Sequence, residues 1–270
     1  MFNFLCTIAY NSAIEQFLIE QTGGADPQVF QGLSGLTSLY LYLSTQDKML
    51  YGKESAEQSM IRSADWYFDF ISPFSYLQFK SFQRLPDSLE VCLVPVLFAG
   101  LLNHWGQKGP AEIPAKRIEM YRYCHWYGER FGIPFRTPPA HPFNPLKVLR
   151  LAIALDANHR VVGQIFDYIW GEGNVIHTEE GFNSLASRMK IRDADILISS
   201  NKVKNALRHN TERAVAAGVY GVPTFAVNNE LFWGFDRTDM LLEYLNNPAM
   251  MQVSEMQRLT QVPKAAERRS

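Results

Sequence analysis

From residue 66 onward, apolar positions form short, strand-length runs near the two ends of the chain and helix-length runs between them. Residues 66–71 (Trp-Tyr-Phe-Asp-Phe-Ile) are aromatic-rich and predict a strand; residues 73–84 predict the helix that follows. Ser72 is a good N-cap, and Pro73 suits the first helical position, where its missing N–H costs nothing. Residues 89–95 are rich in β-branched side chains and predict a second strand. Helices are then expected at 115–130 and, after a proline-rich break, at 146–156, 160–170, 179–189 and 199–217. Asn144-Pro145 opens one of them and Gly218 stops the last. Residues 224–227 and 231–233 predict a hairpin around Asn228-Asn229, and 238–245 a closing helix. The pattern is α/β, with an all-helical insertion over about residues 111–217 and no internal repeat.

The ends read differently. Residues 1–62 are expected to be an amino-terminal helical extension outside the core, with short helices at 13–20 and 29–43 around Gly23-Gly24. No Lys or Arg occurs before Lys48, so a basic secretory or transit leader is not indicated. The apolar stretch 33–43 is too short to span a bilayer. Met60 lies just before the first strand, so residues before it read as an appendage or an upstream mis-assigned start, and a chain beginning there is expected to fold. The core is assigned to residues 63–247, and the tail 248–270 is expected to fray.

Composition narrows the function classes. With 270 residues, 47% of them hydrophobic, the chain can bury a substantial core in one or two domains. A formal net charge of −1 argues against an electrostatic nucleic-acid binder. Cys6, Cys92 and Cys124 have no metal or redox spacing, so a reducing, cytoplasmic compartment is expected, with Cys92 a buried small hydrophobe. His104, His125, His141, His159, His177 and His209 show no zinc spacing, and no metal is expected. There is no Gly-x-Gly-x-x-Gly or Walker loop for a nucleotide and no Gly-x-Ser-x-Gly elbow for a hydrolase.

The chemistry concentrates at two places. Ser72-Pro73-Phe74-Ser75 makes a strand-to-helix turn whose free amides favour an anion, and Gly221-Val222-Pro223-Thr224 precedes a late strand, where a cis proline is expected. In a thioredoxin-like fold these two segments face one another, and the turn is the site of a Cys-x-x-Cys dithiol. Serines here exclude dithiol redox chemistry but leave a place for a thiolate supplied by another molecule.

These residues carry a family resemblance. The run from Tyr67 to Leu77 resembles the amino-terminal signature of the 2-hydroxychromene-2-carboxylate isomerases, relatives of the kappa-class glutathione transferases within the DsbA-like thioredoxin superfamily. Similarity continues through Leu102-Asn103-His104-Trp105-Gly106-Gln107-Lys108-Gly109-Pro110, Trp170-Gly171-Glu172-Gly173, Gly221-Val222-Pro223-Thr224-Phe225 and Trp233-Gly234-Phe235-Asp236-Arg237. The resemblance implies glutathione as cofactor, an aromatic small-molecule substrate, and a homodimer with no membrane or nucleic-acid partner.

It also implies roles. Ser72 would stand beside the glutathione sulfur, favouring thiolate over thiol; its alternative role is helix capping alone. Val222, before a cis Pro223, would offer its backbone to the cysteinyl part, as a strand edge does to a peptide. Phe235 and Asp236 occupy the γ-glutamyl position, Phe235 through its backbone only, and Asp236 alternatively caps the helix near Thr238. Gln107 and Lys116 align with residues holding the glycyl carboxylate, although an exposed lysine is usually just a solvated charge. Asn144 and Trp105 would meet the second substrate, Asn144 doubling as a cap. Trp105, Trp170 and Phe74 would form apolar walls, unless they are simply core. Three functions are then open: a glutathione-dependent isomerase, a glutathione transferase, and a non-catalytic thiol- or peptide-binding module.

Overall fold

The computed structural model describes residues 63–266. The expected extension helices at 13–20 and 29–43, Cys6 and residues 267–270 lie outside them.

Strand β1 (Ser63–Phe68) runs parallel to β2 (Glu90–Pro95) and antiparallel to β3 (Thr224–Val227), which pairs in turn with β4 (Glu230–Trp233). The four-stranded order is β2-β1-β3-β4, the thioredoxin arrangement expected from the sequence. Helix α1 (Pro73–Lys80) makes the crossover from β1 to β2, and α2 (Phe98–Trp105) follows β2. The insertion contains α3 (Pro114–Phe131), α4 (Leu146–Ala154), α5 (His159–Phe166), α6 (Glu179–Arg188), α7 (Ala194–Ser199) and α8 (Asn201–Ala216). After the hairpin, α9 (Thr238–Asn246) returns to the sheet and α10 (Ser254–Leu259) ends the described chain. Asn228 and Asn229 carry positive φ angles of 48° and 71°, which a two-residue hairpin needs and asparagine tolerates.

Alternation along β1 sends side chains to two cores. Trp66 and Phe68 face α1 and the insertion; their rings stack at 4.7 Å and meet Phe79, Phe166 and Phe225. Tyr67 points the other way, into a smaller core of Val94, Leu101, Ala214, Val219 and Val222 covered by α2 and α8. Gln78 is buried in the larger core with its polar atoms satisfied. It accepts from Trp66 Nε1 at 2.7 Å and donates to Thr238 Oγ1 at 3.1 Å, tying α1 to the start of α9.

Several sequence expectations shift. The first strand ends at Phe68 rather than residue 71, because the Asp69 carbonyl and carboxylate accept from the Ser72 and Ile71 amides and turn the chain. The helix expected to run to residue 84 is α-helical only to Lys80 and finishes as a 3-10 turn, Phe82–Arg84. The helix expected at 160–170 leaves α geometry after Phe166 and continues as a π turn, Asp167–Gly171. Helix α2 was not foreseen, since the Asp69 carboxylate caps it from across the fold, accepting from Phe98 N at 2.9 Å. Cys92 is exposed, not buried, because β2 is an edge strand whose first residues stand clear of the helices. The tail is not wholly frayed: α10 forms there and carries an exposed Arg258–Glu255 pair.

Candidate functional site

The Ser72 turn lies just past the carboxyl end of β1. Ser72 is the N-cap of α1 in extended geometry (φ −91°, ψ 115°), and its Oγ accepts from Ser75 N at 3.2 Å. Because that bond uses an oxygen lone pair, the hydroxyl proton remains available to a ligand. Pro73 has no N–H, and the Phe74 amide belongs to the first helical turn, which lacks internal acceptors. Ser72 is 7% exposed, so a donor pair here works at the edge of the interior rather than in open water.

The register between β1 and β3 brings the proline loop to the same end of the sheet. Tyr67 pairs with Thr224 in antiparallel sense, so residues just before Thr224 run alongside residues just after Tyr67. Val222-Pro223 is a cis peptide bond. The Gly221 carbonyl accepts from Thr224 Oγ1 at 2.8 Å and the Pro223 carbonyl from Gly234 N at 2.8 Å. Among the described residues, the Val222 N–H and C=O between them have no hydrogen-bond partner. Gly221 is required sterically, since a Cβ would run into the Trp233 ring.

The other candidates divide. Phe74 and Phe235 come together, stacked at 5.4 Å with 6° between their planes, and Phe235 continues the aromatic contact to Tyr123 and Tyr127 of α3. The Phe235 ring is thus packed between α1 and α3. Asp236 is exposed and accepts from Arg237 at 2.6 Å; α9 has no side-chain cap, so the capping alternative for Asp236 does not hold. Trp105 is 43% exposed, and its Nε1 donates to Val219 O at 2.9 Å, joining the end of α2 to the proline loop. Gln107, Lys116 and Asn144 are exposed, and among the described residues none hydrogen-bonds to the Ser72 turn. Asn144 Oδ1 accepts from Leu146 N at 3.0 Å, the cap-like role read from its sequence. Trp170 is a core residue rather than an open wall: it is fully buried, stacked on Phe135 at 5.8 Å, and donates to Phe70 O at 2.8 Å. Among the described residues no group of His, Cys, Asp and Glu is arranged to hold a metal, and no helix is long and apolar enough to cross a membrane.

Sequence reasoning missed Asp69. It is fully buried beneath the turn, with Oδ1 accepting from Ile71 N at 3.0 Å and Oδ2 from Phe98 N at 2.9 Å. Burial outweighs these bonds and lifts its carboxyl from 3.8 to about 7. Between those values the unfolded chain has released the proton that the native state retains, so the contribution of Asp69 to stability falls as pH rises. It is fully present below pH 4, declines up to about 7, and is flat beyond. Wild type measured against non-titrating Asp69→Asn in urea melts should lose roughly 1–4 kcal/mol of relative stability across that window, each pH unit being worth about 1.4. A difference that is constant or rises with pH would contradict this.

Known proteins agree with the architecture. The family model for the DsbA-like thioredoxin domain matches residues 64–246. A Caenorhabditis elegans protein named glutathione S-transferase kappa 2 is 26% identical over 205 residues, covering 68% of this chain and 91% of that one. A Pseudomonas putida protein named 2-hydroxychromene-2-carboxylate isomerase is 28% identical over 189 residues, covering 66% and 91%. A solved 2-hydroxychromene-2-carboxylate isomerase shares the fold, with TM-score 0.62 and 24% identity over 72% of this chain and 98% of its own. With the domain match extending from β1 into α9, the chain belongs to the DsbA-like thioredoxin domain family.

Proposed function

We propose that this protein is a glutathione-dependent isomerase of the 2-hydroxychromene-2-carboxylate type, acting in aromatic compound degradation. The observation that carries the reading is the pairing of a free Ser72 hydroxyl proton on a helix N-terminus with the unpartnered backbone of Val222 beside a cis proline. That donor set fits a cysteinyl peptide whose sulfur is ionised. Glutathione, when bound, would supply a thiolate able to add reversibly to an electron-poor double bond and leave again after the bond has rotated. The chain's own part is to hold and orient. Ser72 and the Phe74 amide lower the cost of negative charge at the sulfur, and Val222 and Pro223 align the peptide backbone. Phe74 and Phe235 wall the groove; Gln107, Lys116 and Asp236 would meet the charged ends of glutathione, and Trp105 and Asn144 the aromatic substrate. Lys116 forms no ion pair among the described residues, which leaves its charge available to a carboxylate. The protein is proposed to work as a homodimer in the cytoplasm, in keeping with an exposed Cys92 and a buried Cys124 that are both unpaired.

The kappa-named relatives support a second reading, a transferase in which addition to an electrophile is not reversed. Titration calorimetry with reduced glutathione, followed by turnover of the chromene with and without it, separates these possibilities. Binding with glutathione-dependent isomerisation is expected. Binding without isomerisation favours the transferase, and no binding at millimolar concentration leaves only a non-catalytic peptide-binding module.

A further inference from the structure

The peptide unit entering Ser72 is held at both of its polar atoms. The Ser72 N–H donates to Asp69 O at 3.1 Å, and the Ile71 C=O lies 2.8 Å from His141 Nε2, contributed by a loop of the insertion. A carbonyl can only accept, so Nε2 carries the proton. His141 Nδ1 lies 2.7 Å from the Tyr121 hydroxyl on α3, which also lies 3.1 Å from the His141 carbonyl; in the neutral ring Nδ1 is bare, and Tyr121 donates to it over the shorter distance. Tyr121 thus selects the tautomer that lets His141 hold Ile71. A peptide unit is planar, so fixing its O and N–H fixes the plane from which the Ser72 side chain projects. The peptide plane from which Ser72 projects is thus held by a residue 69 positions downstream in the sequence.

We infer that His141, oriented by Tyr121, is a positioning residue for Ser72 that sets how strongly the turn ionises a bound thiol. The inference rests on the thiol-binding reading above. Its surroundings keep the ring neutral: the partly buried imidazole packs edge-on against Trp170 and Phe143, and burial and then the nearby Arg117 charge depress its proton affinity, against the Ile71 bond. Both ring nitrogens of His141 are already engaged, with Ile71 and Tyr121, so its loss should not remove a binding contact. It should let the 71–72 peptide rotate and weaken the hydrogen bond from Ser72 to sulfur.

The test is ultraviolet titration of the thiolate band of reduced glutathione bound to the full chain, alongside calorimetry and thermal melts. His141→Ala is expected to keep glutathione affinity within about threefold while lowering the bound thiolate fraction at a given pH roughly three- to tenfold, the effect of one impaired hydrogen bond. His141→Gln, whose amide N–H can reach the same carbonyl, should recover most of the ionisation. Tyr121→Phe should show a smaller loss in wild type and none in the His141→Ala background, because the two residues act in series. If His141→Ala does not fold, the Tyr121→Phe and His141→Gln titrations decide alone. Variants that melt earlier but titrate bound thiol as wild type does would overturn the inference, as would effects of His141 and Tyr121 that simply multiply. A wild-type protein that binds glutathione without lowering its thiol pKa would instead defeat the thiolate reading, and this inference with it.

Discussion

Replacing Ser72 with alanine is expected to lower turnover roughly ten- to a hundred-fold while changing glutathione affinity little, because a hydrogen bond to a charged group is worth about 1.5–3 kcal/mol. The peptide backbone of glutathione would still pair with Val222, so the loss falls on the charged sulfur. The variant also loses its helix cap, since Ser72 Oγ accepts from Ser75 N, at a cost of about 1 kcal/mol. Turnover and stability must therefore be measured together, by steady-state kinetics and urea melts. Ser75 is the control. Its hydroxyl is buried and has no partner among the described residues, so Ser75→Ala removes an unsatisfied group and should fold at least as well as wild type. Equal damage from the two alanines would mean that the thiolate partner is misassigned. No effect from either would remove the Ser72 turn from the chemistry.

Trp170→Ala should be among the most destabilising single changes in the core, costing about 3–5 kcal/mol. The ring is fully buried, stacks on Phe135, meets His141 edge-on at 5.2 Å and hydrogen-bonds Phe70 O, two residues before Ser72. Trp170→Phe separates packing from polarity: most of the ring volume stays, the Phe70 carbonyl loses its donor, and the cost should drop to about 1–3 kcal/mol. Both variants should also slow turnover, because that carbonyl sits in the segment leading to the turn. Chemical denaturation measures the first effect and kinetics the second. A loss below about 1 kcal/mol for the alanine variant would show that the insertion packs on the sheet without this anchor.

What could be read from the sequence was what neighbouring residues decide. Ser72-Pro73 caps its own helix, Asn228-Asn229 makes its own hairpin, and the runs at 89–95 and 224–227 are strands by composition. What escaped depends on partners far along the chain. Helix α2 is capped by Asp69 from 29 residues away, and His141 acts on a carbonyl 70 residues upstream. Trp170 reads from the sequence as core more readily than as a substrate wall, but the sequence gives no sign that its indole N–H ends on Phe70. Phe235 is expected to act through its backbone only, and the sequence gives no sign that its ring stacks on Phe74. In each case the partner of the side chain is brought by the tertiary fold, not by its neighbours in sequence.

The pairing of β1 with β3 has a consequence for how the protein is made. Tyr67 and Thr224 lie 157 positions apart in sequence, and most of the chain between them is the helical insertion. Closing so long a loop is entropically costly and slow compared with helix formation inside it. A ribosome-bound chain can therefore complete and begin packing the insertion while the Ser72 turn still lacks the Val222 segment opposite it. The thiol groove comes into existence only when the hairpin is delivered, so ligand binding reports on the arrival of the last strands rather than on compaction. Pulse-labelled or stalled chains that end before residue 224 should be helical yet blind to glutathione.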